Sequence, residues 1–204
     1  MTIGTRSLQL GDILITAVDN TVSHCGIVGG TTTVNTPGGK VDRADMIYHA
    51  TSKGIKCDDA TGWANRQGGV GVFRMRGLRH LSVGGKPAAK TIAESAAYLA
   101  AHCHYSPGRA IFKSWFASSD FGSGAQGRLQ KYLGRIGSGQ PLDIAVYCSE
   151  FVVLAYQLAA KGDSHAAFFI DLDAKHTLPK DLRNWLLQRS KGGSWQVMGN
   201  LVVA

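Results

Sequence analysis

Apolar positions along this chain change period midway. Up to about residue 76 they fall in short runs that alternate or stay continuous over five to eight residues, which is strand spacing. Residues 11–18, Gly-Asp-Ile-Leu-Ile-Thr-Ala-Val, predict a buried strand closed by a turn at Asp19-Asn20. Residues 22–28 predict a second strand, with Val22, His24, Gly26 and Val28 on one face and Ser23, Cys25 and Ile27 on the other. Thr31 to Arg43 is polar and contains Pro37-Gly38-Gly39, so it reads as a loop. Short strands follow at 46–50 and 70–76, with Ile47 and His49 sharing a face.

Beyond residue 86 the period becomes helical. Pro87 opens a helix from Ala88 to Cys103, with Ile92, Ala96, Leu99 and Cys103 on one stripe. Residues 106–140 are rich in Gly, Ser and Ala around Phe112, Trp115, Phe116 and Phe121, and read as an irregular insertion with one helix around Gly127–Leu133. Phe151, Leu154, Ala155 and Leu158 lie at helical spacing after Cys148, and Gly162 marks the stop. Pro179 opens a helix carrying Leu182, Trp185 and Leu186, and a last strand runs from Gln196 to Val203. Strands, helix, insertion, two helices and a strand predict an α+β fold in one domain over residues 1–204, with no repeat and no linker.

Composition narrows the function classes. The net charge of +8 favours anionic surroundings, but Lys and Arg are scattered without a dense run, which argues against nucleic-acid binding. No apolar run is long enough for an integral membrane segment. Residues 1–7 lack an apolar signal core, which predicts a protein made in the cytoplasm and exported, if at all, by a route independent of signal peptides. Cys25, Cys57, Cys103 and Cys148 have neither zinc-knuckle nor disulfide-framework spacing, so free thiols are expected.

Cys148 is the candidate nucleophile. A sulfur in the first turn of a helix meets unpaired N–H groups and the positive end of the helix dipole, both of which stabilise a thiolate. The local sequence alone fits a small core residue equally well, since cysteine is among the most buried types. A nucleophilic cysteine needs a base, and the base an orienting partner. His24 and His49 lie inside predicted strands, Gly26 leaves room beside His24, and neighbouring strands would let His24 take the Cys148 proton while His49 holds its other nitrogen. His80, His102, His104, His165 and His176 fall in loops or at helix ends and read as surface residues.

In order along the chain, Gly11-Asp12-Ile13-Leu14, Ser23-His24-Cys25-Gly26-Ile27-Val28, Ile47-Tyr48-His49-Ala50, Trp63, Val70 to Arg74, Tyr105, Tyr147-Cys148-Ser149-Glu150 and Leu178-Pro179-Lys180-Asp181-Leu182 resemble the motifs of the permuted NlpC/P60 proteins, papain-like cysteine hydrolases of the YiiX/YaeF type. The resemblance implies a permuted papain-like fold, an antiparallel sheet packed against helices. It implies a catalytic triad of Cys148, His24 and His49, with Tyr105 and Tyr147 as oxyanion or substrate-binding residues, and a two-step acyl transfer needing no metal or organic cofactor. This chain departs from the pattern at His49, where YiiX-like members often carry glutamate, at Cys25, where valine is usual, and in the 106–140 insertion. Cys25, opposite His24, is expected in the core.

The resemblance and the charge together favour cleavage of an amide in peptidoglycan stem peptides. Without an apolar leader, such activity implies delivery by a contact-dependent secretion system, as an antibacterial effector toxin with an immunity protein as candidate partner. The same Cys–His chemistry also suits a lipid-directed acyltransferase or thioesterase, with the aromatic residues at 112–121 meeting an acyl chain. A non-catalytic binding module is the third reading, and the intact Cys148, His24 and His49 argue against it.

Overall fold

A computed structural model describes residues 1–18, 21–36, 38–66, 69–105, 124–138 and 144–203. It is a mixed α+β structure. The elements run β1 (Thr2–Gly4), β2 (Ile13–Val18), β3 (Thr21–Thr36), β4 (Gly39–Thr51), β5 (Gly54–Asp59), α1 (Ala60–Ala64), β6 (Val70–Met75), β7 (Ser82–Val83), β8 (Lys86–Pro87), α2 (Ala88–His102), β9 (Cys103–Tyr105), α3 (Gly124–Gly137), β10 (Ile144–Val146), α4 (Cys148–Ala159), α5 (Pro179–Lys191) and β11 (Trp195–Val202). Seven strands form one sheet in the order β1-β11-β6-β2-β3-β4-β5, antiparallel throughout except for the β1–β11 edge pair. The short β9 and β10 pair in parallel, Val146 opposite Tyr105, just before α4.

The sheet buries both faces. On one, Ile13, Ile15, Cys25, Ile27 and Phe73 meet Ile92, Ala96, Leu99, Phe151, Ala155 and Leu186 from the helices. On the other, Leu14, Val28, Ile47, Val70 and Val72 pack around Trp63 from α1. This is the period-two alternation read from β2 and β3, with each face given its own cover. Gly26 belongs to the Trp63 face, where a Cβ would lie 2.8 Å from both Ile47 and the Trp63 ring. The room beside His24 is therefore filled by indole.

Helix α4 is the centre of the helical layer. Rather than presenting one stripe, it is buried on all sides: every residue from Cys148 to Gln157, and Ala159, is buried. A helix apolar all round belongs inside. Its few polar side chains bond to what surrounds them. Ser149 Oγ donates to the Thr177 carbonyl at 2.6 Å, Glu150 Oε1 accepts from the Tyr132 hydroxyl at 2.8 Å, and Gln157 Nε2 donates to the Ile170 and Leu172 carbonyls, each at 2.8 Å. Each of these bonds, if lost, would leave a buried polar group at a cost of about 1–3 kcal/mol.

Beneath Tyr156 the chain enters β2 through a tight turn. Gly11 has φ +87°, a conformation that favours glycine, and its carbonyl accepts the Tyr156 hydroxyl. Asp12, 1% exposed, takes a two-pronged bond from Arg74, Nε to Oδ1 at 2.7 Å and a terminal nitrogen to Oδ2 at 2.6 Å. Burial still pushes the Asp12 carboxyl up, with the guanidinium opposing it.

Several expectations are corrected. Thr31 to Thr36 and Gly39 to Arg43 are the outer half of the paired strands β3 and β4, not a loop, and Pro37 lies outside the described residues. Its polarity reflects exposure, while the β-branched threonines suit a strand and bond across it: Thr32 Oγ1 to Asp45 at 2.6 Å and Thr33 Oγ1 to Asp42 at 2.7 Å. The first strand begins at Ile13 because Gly11-Asp12 is a turn. Cys103 leaves the helical stripe and starts β9. Strand β5, helix α1 and the paired strands β9 and β10 give no clear signal in the sequence, being short or polar. Within 106–140, residues 106–123, 139 and 140, and with them Phe112, Trp115, Phe116 and Phe121, lie outside the described residues. The rest forms α3, longer at both ends than Gly127–Leu133, and buries Leu129 and Tyr132 against the core. Among the described residues no helix is long and apolar enough to cross a membrane.

Candidate active site

Cys148 is the first residue of α4, 7% exposed. No side chain caps this end, where the Phe151 N–H bonds back to the Tyr147 carbonyl at 2.9 Å. Cys148 therefore sits at the positive end of the helix, whose first turn also holds the Glu150 carboxyl. Cys25 and His24, both from β3, are the side chains that act on the titration of Cys148. Cys25 is the strongest influence holding the Cys148 thiol well below its ordinary value; burial opposes it, while His24 and the Cys25 backbone N–H act with it. Cys25 is itself pushed well above the ordinary range, by burial first and then by Cys148.

Behind Cys148 runs a line of hydrogen bonds. His24 Nε2 lies 2.8 Å from His49 Nδ1, and His49 Nε2 lies 2.8 Å from Asp58 Oδ2. The directions follow from the far end. A carboxylate only accepts, so His49 Nε2 carries the hydrogen. His49 is 1% exposed and its pKa is lowered to about 4, by burial first and then by the charge of His24, so it is neutral near pH 7 and its Nδ1 is a bare acceptor. That acceptor takes the His24 Nε2–H. His24 is left with Nδ1 as the nitrogen for the sulfur, in the tautomer that receives a proton there.

Trp63 fixes the two imidazoles. Its ring stacks on His24 with centroids 5.5 Å apart and planes at 20°, and meets His49 edge-on at 5.1 Å and 87°. An imidazolium formed on His24 lies over the negative face of the indole, which stabilises it. Arg66 sits over Trp63 at 4.0 Å and reaches Asp58 Oδ2 at 3.3 Å. Its charge also works against protonation of His49.

The sequence-derived residues Cys148, His24 and His49 are thus brought together. Tyr105 is placed by its backbone beside Val146, two residues before Cys148; its side chain lies outside the described residues. Tyr147 is buried and its hydroxyl donates to the Lys175 carbonyl at 2.9 Å, tying the 174–176 turn to the base of α4 rather than facing an open groove. Sequence reasoning missed Asp58, Arg66 and the role of Cys25. Asp58 lies on the polar edge strand β5, whose sequence gives no clear signal. Of the histidines read as surface residues, His80, His102, His104 and His165 are exposed and His176 is half-buried. All four cysteines are free thiols. Among the described residues no cluster of His, Cys, Asp and Glu is arranged to hold a metal ion.

No family model, curated protein or solved structure matches this chain. What the site can do follows from its geometry. A helix-terminal cysteine whose thiol is held below its ordinary value, an imidazole in the tautomer that can take its proton, and a buried second imidazole fixed by a carboxylate can perform nucleophilic attack with general acid–base assistance.

Proposed function

We propose that this chain is a cysteine hydrolase of the permuted papain-like, NlpC/P60 kind, cleaving an amide bond in peptidoglycan stem peptides. The observation that carries the reading is the hydrogen-bonded line His24–His49–Asp58, with His24 acting on the titration of the helix-terminal Cys148; Cys148, His24 and His49 are reached from motifs spread over most of the chain. The Cys148 thiolate adds to the amide carbonyl, forming a C–S bond and an oxyanion. The backbone N–H at the start of α4 is the donor for that oxyanion, a contribution of about 3 kcal/mol to such barriers. The imidazolium of His24 gives its Nδ1 proton to the departing amine as the C–N bond breaks. Water then attacks the thioester with His24 as base, and Cys148 leaves as thiolate. Asp58 and His49 hold His24 in the tautomer that each proton transfer needs.

Peptidoglycan is the substrate favoured by the resemblance and by the attraction of a +8 chain to a carboxylate-bearing polymer. Delivery to a target periplasm, as an antibacterial effector, belongs to the same proposal. The test is incubation with purified peptidoglycan and mass analysis of the soluble products. Stem-peptide fragments from the wild type and none from Cys148→Ala are expected. Release of fatty acid from lipid without any fragment from peptidoglycan means the acyl-lipid reading is right instead.

A further inference from the structure

The end of β6 gathers three arginines that the candidate active site does not use. Val70 and Val72 lie on the Trp63 face of the sheet, and alternation carries Arg74 and Arg76 to the same face. Gly77 then turns the chain. Its φ of +70° is a conformation that favours glycine, and it leads into the short helical turn Leu78–His80, which brings Arg79 back beside the strand end. All three arginines border one cavity of about 200 Å³, with Gln9 and Gln196 on its other sides. A Cβ on Gly77 would meet nothing within 4 Å, so this corner is open.

The three guanidiniums differ in what holds them. Arg74 grips Asp12 in two places and donates to the Ser7 carbonyl at 2.8 Å, which fixes its plane and leaves its other terminal nitrogen with no acceptor among the described residues. Asp12 is fully used, since its Oδ2 also accepts the Gln9 N–H at 2.9 Å. Arg76 and Arg79 are exposed, and neither makes an ion pair among the described residues. Arg79 Nε donates to His80 Nε2 at 3.0 Å, which leaves both of its terminal nitrogens for another acceptor. On β11 the residue across from Arg74 is Gln196, and the Arg76 N–H bonds to the Ser194 carbonyl at 3.0 Å, so the neighbouring strand supplies no acid. Two positive charges therefore stand at one cavity that no carboxylate lines, an arrangement that an anion relieves.

We propose that this cavity is a second binding site, one that takes a terminal phosphate group, supplied by a small phosphomonoester or by free phosphate. Every polar side chain that lines it can donate. A phosphomonoester carries close to two negative charges at neutral pH and three free oxygens, which matches the two uncompensated guanidiniums. A carboxylate has one charge and two oxygens, and a single arginine fork serves it completely. The cavity is smaller than the roughly 300–1,000 Å³ that encloses a drug-sized ligand, so it suits one charged group with the rest of the molecule in solvent. The site is separate from Cys148. His24 lies opposite Thr16 and Thr16 opposite Val70, so Arg74 is about 13 Å further along the sheet.

The experiment is calorimetric titration of the full chain, at one ionic strength, with inorganic phosphate, methyl phosphate, dimethyl phosphate and acetate. The wild type is expected to bind the first two saturably at one site, and the last two at least about tenfold more weakly. Tighter binding of methyl phosphate than of free phosphate assigns the site to a monoester, and the reverse order assigns it to the free ion. Arg76→Gln and Arg79→Gln, both at exposed positions and checked for native circular dichroism, are each expected to weaken phosphate binding at least about tenfold. Cys148→Ala is expected to leave it unchanged. No saturable heat at millimolar phosphate overturns the proposal, as does acetate or dimethyl phosphate binding as tightly as phosphate. So does an affinity unmoved in either arginine variant, or a loss of binding in Cys148→Ala, which would put the anion at the candidate active site. The wild-type ligand series decides alone should an arginine variant misfold. No turnover enters the assay, so its result stands whatever peptidoglycan digestion shows.

Discussion

The two ends of the candidate site are built in opposite ways. Cys148 stands at the start of a helix buried on every side, 7% exposed, among core residues. Asp58 stands on the outermost strand of the sheet with its side chain 41% exposed, where it pairs with His49 and Arg66. At the buried end the protein sets the charge state itself, through Cys25, His24 and the helix terminus. At the open end water shares the work, and the carboxylate needs only to point at His49. A nucleophile must be tuned in low dielectric, whereas an orienting carboxylate works at the surface so long as the imidazole before it is buried.

Breaking the buried end is therefore expected to cost most. Cys148→Ala and His24→Ala each reduce amide cleavage at least about 10⁴-fold while the circular dichroism spectrum stays native. Activity surviving in either variant removes that residue from the line. Asp58→Asn comes next. An amide can donate to His49 Nε2, which moves the His49 hydrogen to Nδ1 and turns His24 to the tautomer that cannot accept at the sulfur. A fall of roughly 10²- to 10⁴-fold in kcat with little change in KM is expected. A larger loss in Asp58→Ala, which leaves the tautomer free, contradicts this account of Asp58.

Trp63 packs against both imidazoles between the two ends, and Trp63→Ala is expected to lower stability by about 3–5 kcal/mol in urea unfolding. A cost below about 1 kcal/mol would show that the face opposite the helices is loosely packed.

The buried imidazole gives a pH signature. His49 has a folded pKa of about 4 against 6.5 unfolded, so the unfolded chain binds the extra proton between these values. Its contribution is complete above pH 6.5 and is lost as the pH falls toward 4, so stability should decline across that window. His49→Gln should flatten the decline. The smallest effect belongs to Arg66→Ala. Removing its charge makes His49 easier to protonate, so the acid limb of the activity profile should move upward by a fraction of a unit, with at most about 1 kcal/mol lost in stability.

The same contrast decides what can be read from the sequence. Buried elements declare themselves through apolar period: β2, β3, β6, α2, α4 and α5 are all legible, and His24 stands out because histidine is an odd filler for a strand. Polar elements do not. Strand β5, Gly-Ile-Lys-Cys-Asp-Asp, has one aliphatic residue, and the outer half of the paired strands β3 and β4 has threonines where a core strand has valines. Asp58 is hidden along with β5. Alternation along β3 places Cys25 in the core, but alternation along one strand cannot say which helix residue touches it. That contact depends on where α4 begins relative to β3, a property of the packed molecule.

The central claim is that this line makes Cys148 a thiolate near neutral pH. The most direct measurement is the rate of iodoacetamide alkylation at each cysteine of the folded protein as a function of pH, read by peptide mass. Cys148 is expected to react ahead of the exposed Cys57, with an inflection well below the ordinary thiol value of about 8.5 that is lost in His24→Ala. Faster labelling of Cys57, or a Cys148 inflection at or above about 8.5, would contradict the account.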